Sequence, residues 1–154
     1  MALSSKVIVA QRLDGQRGLF VAHGVEPDEI LIKYDGPIID HPTRLSIQID
    51  DDKHIEGTED SNAFLNHSCE ASAYVDWDAV CLRAVKAIPA GAEITCNYLT
   101  TDYELHSPFH CRCGSPRCKG TIRGFKHLTP AEQLELEPWL PPFLKRKLQR
   151  RRPW

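Results

Sequence analysis

Residues 73–98 read Ala73-Tyr-Val-Asp-Trp77-Asp-Ala79-Val-Cys-Leu-Arg-Ala-Val85-Lys-Ala-Ile-Pro89-Ala90-Gly91-Ala-Glu93-Ile-Thr-Cys-Asn-Tyr98. Three apolar runs, Ala73–Trp77, Ala79–Val85 and Glu93–Tyr98, are separated by an aspartate-bearing break and by the turn Pro89-Ala90-Gly91. Runs of this length, rich in β-branched and aromatic residues and bounded by turn formers, read as successive strands. Upstream, Val7–Ala10, Leu19–Ala22, Glu29–Tyr34 and Leu45–Ile49 repeat the pattern between Gly, Pro and Asp. No long stretch before residue 125 carries helical periodicity, and the chain has no internal repeat. Strands recurring about every 10 residues point to a β-rich fold and not to a βαβ array. The absence of Gly-x-Gly-x-x-Gly after a strand also sets aside a Rossmann-type fold.

The character changes toward the C-terminus. Thr129-Pro130-Ala131-Glu132 supplies an N-cap, a proline at the first helical position and a capping-box glutamate. A short helix is predicted to follow and to end near Pro138. Pro141-Pro142 starts a second helix through Phe143, Leu144 and Leu148, with Trp139, Leu140 and Phe143 as anchors onto the body. The expected division is residues 1–106 as the main domain, 107–124 as a cysteine segment, and 125–154 as a helical appendage with a basic tail.

At 154 residues the chain fits one domain able to bury a core without staples. No run approaches the roughly 18 apolar residues of a membrane span, and Val7–Ala10 is too short for a signal peptide. The expectation is a soluble intracellular protein, with cytoplasm and nucleus undecided. The net charge of −2 hides an asymmetry: residues 1–144 carry 13 basic against 21 acidic side chains, a net −8. The six remaining cations, Lys145, Arg146, Lys147, Arg150, Arg151 and Arg152, end the chain. Asp50, Asp51, Asp52, Glu56, Glu59 and Asp60 concentrate negative charge, either as a solvated loop or as a surface attracting a basic partner.

Three of the six cysteines crowd into Cys111-Arg-Cys113-Gly-Ser-Pro-Arg-Cys118. In an intracellular chain, thiolates this close around a Gly-Ser-Pro turn favour a metal over disulfides. Zinc commonly takes four sulfur ligands at a structural site, so a fourth is needed. Cys69, Cys81, Cys96, His106 and His110 are the candidates, and spacing does not choose among them. Cys81, between Val80 and Leu82, also reads as a small buried hydrophobe.

Ala63-Phe-Leu-Asn66-His67-Ser68-Cys69 resembles the Asn-His-Ser-Cys motif of SET-domain protein-lysine methyltransferases. Ala84-Val-Lys-Ala-Ile-Pro-Ala-Gly91-Ala-Glu93-Ile-Thr95-Cys-Asn97-Tyr98 is similar to that family's second motif, and Gly15-Gln-Arg17-Gly18-Leu19-Phe20 to its first cofactor motif. The cysteine cluster looks like its post-SET appendage, Cys-x-Cys-Gly-x-x-x-Cys-x-Gly. The four motifs occur in the family's order across residues 15–120. The chain departs from the pattern at Lys33 and Pro37, where the family often has Glu, at Ala63, which replaces an arginine, and near Ala71-Ser72, where a Pro-Asn is usual.

The resemblance implies a SET-type β-clip of small curled sheets with a pseudoknot around the active site. It implies a zinc-stapled post-SET segment, with Cys69 joining Cys111, Cys113 and Cys118 as ligands, beside short C-terminal helices. It implies S-adenosylmethionine as methyl donor, bound by Arg17, Gly18, Leu19, Asn66 and His67, and a lysine-bearing protein, basic in keeping with the acidic body, as substrate. Tyr98 matches the active-site tyrosine that orients methyl group and amine. Cys96 stands where several relatives carry an aromatic residue that limits the number of methyl groups added; the smaller thiol predicts a roomier channel. Two other functions fit parts of the sequence: a non-catalytic zinc-stapled peptide-binding module, and a nucleic-acid contact through the basic tail. Oligomeric state is not readable.

Overall fold

The structure is a computed structural model and describes residues 2–58 and 62–150. Glu59, Asp60, Arg151 and Arg152, named above for their charges, lie outside the described residues. The elements in chain order are β1 (Ala2–Leu3), β2 (Val7–Gln11), β3 (Arg17–Val21), β4 (Ile30–Lys33), β5 (Ile38–Ile39), β6 (Ile47–Asp50), β7 (Lys53–Ile55) and β8 (Asn66–His67). They continue with β9 (Ala73–Asp76), β10 (Cys81–Ala84), β11 (Glu93–Cys96), β12 (Phe109–His110), β13 (Thr121–Ile122), α1 (Pro130–Glu135) and α2 (Pro142–Arg150).

The largest sheet runs β1-β4-β10-β9-β11-β3-β2, with β8 laid parallel against β11. β2 and β3 form a hairpin in the register Val7↔Val21 to Gln11↔Arg17, closed by a 2.7 Å hydrogen bond from the Arg12 amide to the Gln16 carbonyl. β5, β7 and β6 form a second small sheet, and β12 and β13 a third. Leu19, Val21, Leu31, Ile32, Leu82, Ala84 and Ile94, all fully buried, fill the core between these short strands. Burial of each of the Val, Leu and Ile side chains among them contributes about 1.5–3 kcal/mol.

The expected strands are present with shifted ends: β2 and β3 are a residue longer than expected, and β4, β6, β9, β10 and β11 are shorter. Leu45 is not in β6, because the Thr43 hydroxyl accepts its amide at 3.1 Å and holds residues 43–46 in a turn. Pairings of two residues, such as β1, β5 and β8, offer no periodicity to read, and none was expected.

The C-terminal appendage packs on its own cluster, Phe125, Leu140, Phe143, Leu144 and Leu148. α1 begins with the expected capping box: Glu132 donates its amide to the Thr129 hydroxyl, and the Thr129 amide donates to the Glu132 carboxylate. It ends at Glu135, three residues before Pro138, and a 3-10 turn over Glu137–Trp139 carries the chain on. Leu140 and Phe143 are buried, within the appendage's own cluster and not in the core of the main sheet. Trp139 is 43% exposed, its ring edge-on to Tyr74 at 5.4 Å while its carbonyl accepts the Trp77 indole N–H. The acidic stretch and the basic tail meet each other: Arg146 pairs with Asp50 at 2.6 Å and Lys147 with Asp51. No helix among the described residues is long and apolar enough to cross a membrane.

Candidate active site and metal centre

β11 carries the site because three strands reach it. Its Thr95 and Cys96 lie beside Asn66 and His67 of β8, Cys96 also pairs with Ala73 of β9, and Glu93 and Ile94 pair with Phe20 and Leu19 of β3. This brings residues 17–19, 66–67 and 98 together from three distant stretches. The Asn66 amide donates to the Arg17 carbonyl at 3.0 Å and to the Glu93 carboxylate at 2.9 Å, tying β3, β8 and β11. Gly18 sits inside this knot. A Cβ there would stand 2.6 Å from the Glu93 carboxylate and 3.2 Å from the Asn66 amide nitrogen. Arg17 is exposed, its guanidinium 5.5 Å from the Phe64 ring centroid, whereas the Leu19 side chain is wholly in the core. Leu19 therefore has only its backbone to offer a ligand.

The Tyr98 hydroxyl donates to the Leu65 carbonyl, and its amide donates to His67 Nδ1 at 3.1 Å. With Nδ1 accepting, the His67 proton sits on Nε2, which lies 3.4 Å from Cys69 Sγ. Burial lowers the His67 imidazole to about 4, so it is neutral and is a hydrogen-bonding bridge rather than a charge. Burial raises the Tyr98 phenol far above its ordinary value, aided by the nearby Cys96, Asp102 and Glu93, so it stays a hydroxyl donor. The rings of His67, Tyr98 and Phe109 stand 5.3–5.9 Å apart in tilted and edge-to-face pairs.

A cavity of about 220 Å³ opens here, lined by Asn66, Cys96 and Tyr98 together with Tyr34, Leu65 and Asp102. Asn66 and Tyr98 thus face one space. Cys96, 1% exposed, contributes a thiol that burial pushes up to about 12, so it is a small neutral wall. Tyr34, Asp102 and Phe109 were not singled out from sequence. Tyr34 stands between Lys33 and Pro37, where the chain departs from the family pattern, and Asp102 and Phe109 lie outside the recognisable motifs.

The four sulfurs of Cys69, Cys111, Cys113 and Cys118 lie within 4.8 Å of one another. Cys69 and Cys111 are 3.9 Å apart, close to the roughly 3.8 Å edge of a tetrahedron with 2.3 Å zinc–sulfur bonds. The donor set fits a structural zinc, and Cys69 is the fourth member that spacing left open. Cys81 is instead buried in β10, and Cys96 faces the cavity. The β12–β13 pairing and a 2.8 Å bond from the Cys111 amide to the Gly120 carbonyl hold the loop. The Lys119 amide donates to Cys69 Sγ at 3.3 Å, so both Lys119 and His67 point N–H groups at that sulfur.

A protein-family model described as "SET domain" matches residues 16–99. A histone-lysine N-methyltransferase, H3 lysine-36 specific, of Coccidioides immitis is 32% identical over 143 residues, covering 78% of this chain and 14% of that protein. The methyltransferase flvH of Aspergillus flavus is 31% identical over 105 residues, covering 67% of this chain and 57% of that protein. A crystal structure of KRYPTONITE in complex with mCHG DNA and SAH aligns with a TM-score of 0.64 at 20% identity, over 79% of this chain and 30% of that one. That likeness bears on fold alone: small curled sheets with few helices. The chain spans only a small part of the histone-directed relatives it matches. The match over more than half of its length, with the convergence of residues 18, 66 and 98, shows that this chain belongs to the SET-domain family.

Proposed function

We propose that this protein transfers methyl groups from S-adenosylmethionine to the side-chain amine of lysine in a protein substrate. The single observation that carries the reading is that Asn66 and Tyr98 face one small cavity. When bound, S-adenosylmethionine supplies a sulfonium methyl group. Asn66, the backbone of Arg17, Gly18, Leu19 and His67, and the half-buried ring cluster around His67 are the groups suited to hold its amino-acid and adenosine ends. Free lysine has a pKa near 10.4, so presenting a neutral amine at pH 7 costs about 4–5 kcal/mol. A narrow cavity lowers that cost by disfavouring the ammonium. Tyr98, fixed between the Leu65 carbonyl and His67, orients the amine; alignment supplies much of the remaining acceleration.

The four cysteines hold the zinc that packs residues 107–124 beside this site. The relatives named for histone lysines and the acidic body favour a basic, histone-like substrate and a nuclear location. Nucleic acid contact is reserved to the end of the tail, since Arg146 and Lys147 are paired with Asp50 and Asp51. Incubation with labelled donor and core histones, alongside a cell extract, tests the reading: labelled protein is expected, and Tyr98→Phe should cut turnover at least about 10²-fold while leaving the fold intact. Unchanged labelling by Tyr98→Phe would refute it.

The small Cys96 wall favours products beyond monomethyllysine. Mass spectrometry should find di- or trimethylated product, and Cys96→Phe should shift the product toward monomethyl. Monomethyl product alone, unchanged by Cys96→Phe, would contradict the roomier channel.

A further inference from the structure

Asp102 is an unusual residue to find in such a cavity. It lies four residues beyond Tyr98, just after the 3-10 turn over Tyr98–Thr100, and its accessible surface opens into the cavity that Tyr34, Cys96 and Tyr98 also line. The Thr101 hydroxyl donates to its Oδ2 at 2.7 Å, and its main-chain carbonyl accepts the Phe125 amide at 3.0 Å, so its backbone is fixed. Burial raises its carboxyl to about 6, against the opposing hydrogen bonds from Thr101 and the Gln48 backbone. The groups facing it are Tyr34 from the end of β4, Cys96 from β11 and Tyr98, all neutral at pH 7, with Gln48 from β6. Arg44 and His106 also line the cavity, but neither pairs with Asp102, and no basic side chain among the described residues does. An anion partly withdrawn from water with no cation beside it is costly, and proteins seldom keep one without use.

We propose that Asp102 receives the substrate's ammonium group inside the cavity and takes up the proton that the nitrogen sheds before it is methylated. This rests on the reading that the cavity admits a lysine-like amine. A primary ammonium is the cation suited to a cavity of about 220 Å³ whose one carboxylate stands among hydroxyl, thiol, amide and alkyl groups, with the Arg44 guanidinium and the His106 imidazole also on its lining. In this setting both partners are penalised for charge, the acid being raised and the amine lowered, so their proton affinities approach. One proton then moves: an N–H bond breaks, an O–H bond forms on Asp102, and an ion pair becomes a neutral amine beside a neutral acid. The acid returns its proton to water, which reaches the cavity where its lining includes the exposed residues His106 and Ser107. The sign of the pH dependence follows. Asp102 must be ionised to act, so its contribution is present above about pH 6 and fades as pH falls through that value.

The test uses the full chain and n-butylammonium as a probe of the lysine side chain, with n-butanol as neutral isostere. Carbon NMR of the native protein should show the Asp102 carboxyl titrating near pH 6, with its midpoint moved downward by the probe and not by n-butanol. Calorimetry should show n-butylammonium affinity reduced at least about 10-fold by Asp102→Asn and largely kept by Asp102→Glu, with binding of S-adenosylhomocysteine confirming that each variant is folded. In the labelling assay, the acid limb of kcat/KM near pH 6 should vanish in Asp102→Asn. A midpoint unmoved by n-butylammonium, or equal affinity in Asp102→Asn, overturns the proposal. The binding arms need no methyl transfer. Failure to label any protein while n-butylammonium still binds at Asp102 would therefore sink the enzymatic reading and leave the cation site standing.

Discussion

Strand β10 and the loop around Cys118 are built by opposite means. β10 is hydrogen-bonded on both sides, to β4 and to β9, and its Leu82 and Ala84 are wholly buried. It is paired along both edges, with a register shift toward β4 between Leu82 and Arg83 and with Ala84 bonded to Asp28 and Glu29 just before β4, and its apolar face finds the core. Around Cys118 the regular pairing is two residues long, Phe109↔Ile122 and His110↔Thr121. What converges instead is four thiols, with Leu99 and Ile122 beneath them. The sheet body has an extensive buried core, while the segment that closes one side of the site has little regular pairing and is expected to lean on a metal held by its four thiols. His67 stands on the seam, with one ring nitrogen on Tyr98 and the other toward Cys69.

The largest effect should come from withdrawing the metal. A structural zinc bound by thiolates contributes on the order of 10 kcal/mol to the segment that holds it. A strong chelator, or Cys113→Ser, should make residues 107–124 the first site of limited proteolysis and abolish turnover. Hydrogen exchange in β3, β10 and β11 should stay slow. Simultaneous loss of protection in the sheet would break the comparison, making body and segment one cooperative unit.

The next effect separates the second hydrophobic cluster from the first. Leu144 is fully buried among Phe125, Leu140, Phe143 and Leu148, so Leu144→Ala should cost about 2–5 kcal/mol of whatever stability that cluster has. If the appendage folds with the body, denaturant unfolding stays a single transition shifted by that amount. If it is a separate unit, an early transition appears, reported by Trp139, with the main one unmoved.

The same contrast governs what could be read from sequence. β2, β3, β4, β9, β10 and β11 announced themselves because their residues combine β-branched or aromatic side chains with turn formers between. The two-residue pairings could not, since β8 exists only because β11 offers its edge to Asn66 and His67. Cys111, Cys113 and Cys118 were legible as a metal group by spacing, but Cys69 needed either the family pattern or the fold, because its sulfur arrives from 42 residues away. Tyr98 and Asn66 were legible by resemblance. Asp102 was not. Its significance is a half-buried carboxylate with no cation paired to it, a property of the folded surroundings that the dipeptide Thr101-Asp102 does not carry.

The smallest effect lies where the two construction styles join. Glu132 closes the capping box of α1 and also accepts Lys119 of the cysteine loop at 2.9 Å. The hydrogen bond from Lys119, followed by those from the Thr129 backbone and hydroxyl, lowers its carboxyl to about 2. A depressed acid stabilises the fold above its ordinary range near 4.5, and that contribution is lost as pH falls toward 2. Thr129→Ala removes the cap and should cost about 1 kcal/mol at pH 7, whereas the half-exposed Lys119 pair adds at most about that much. The difference between Thr129→Ala and native protein in thermal melts should therefore narrow between pH 5 and pH 2, as Glu132 protonates in both. A pH-independent difference would mean that the hydroxyl alone caps the helix and that Glu132 answers only to Lys119, placing α1 with the metal segment rather than with its own cap.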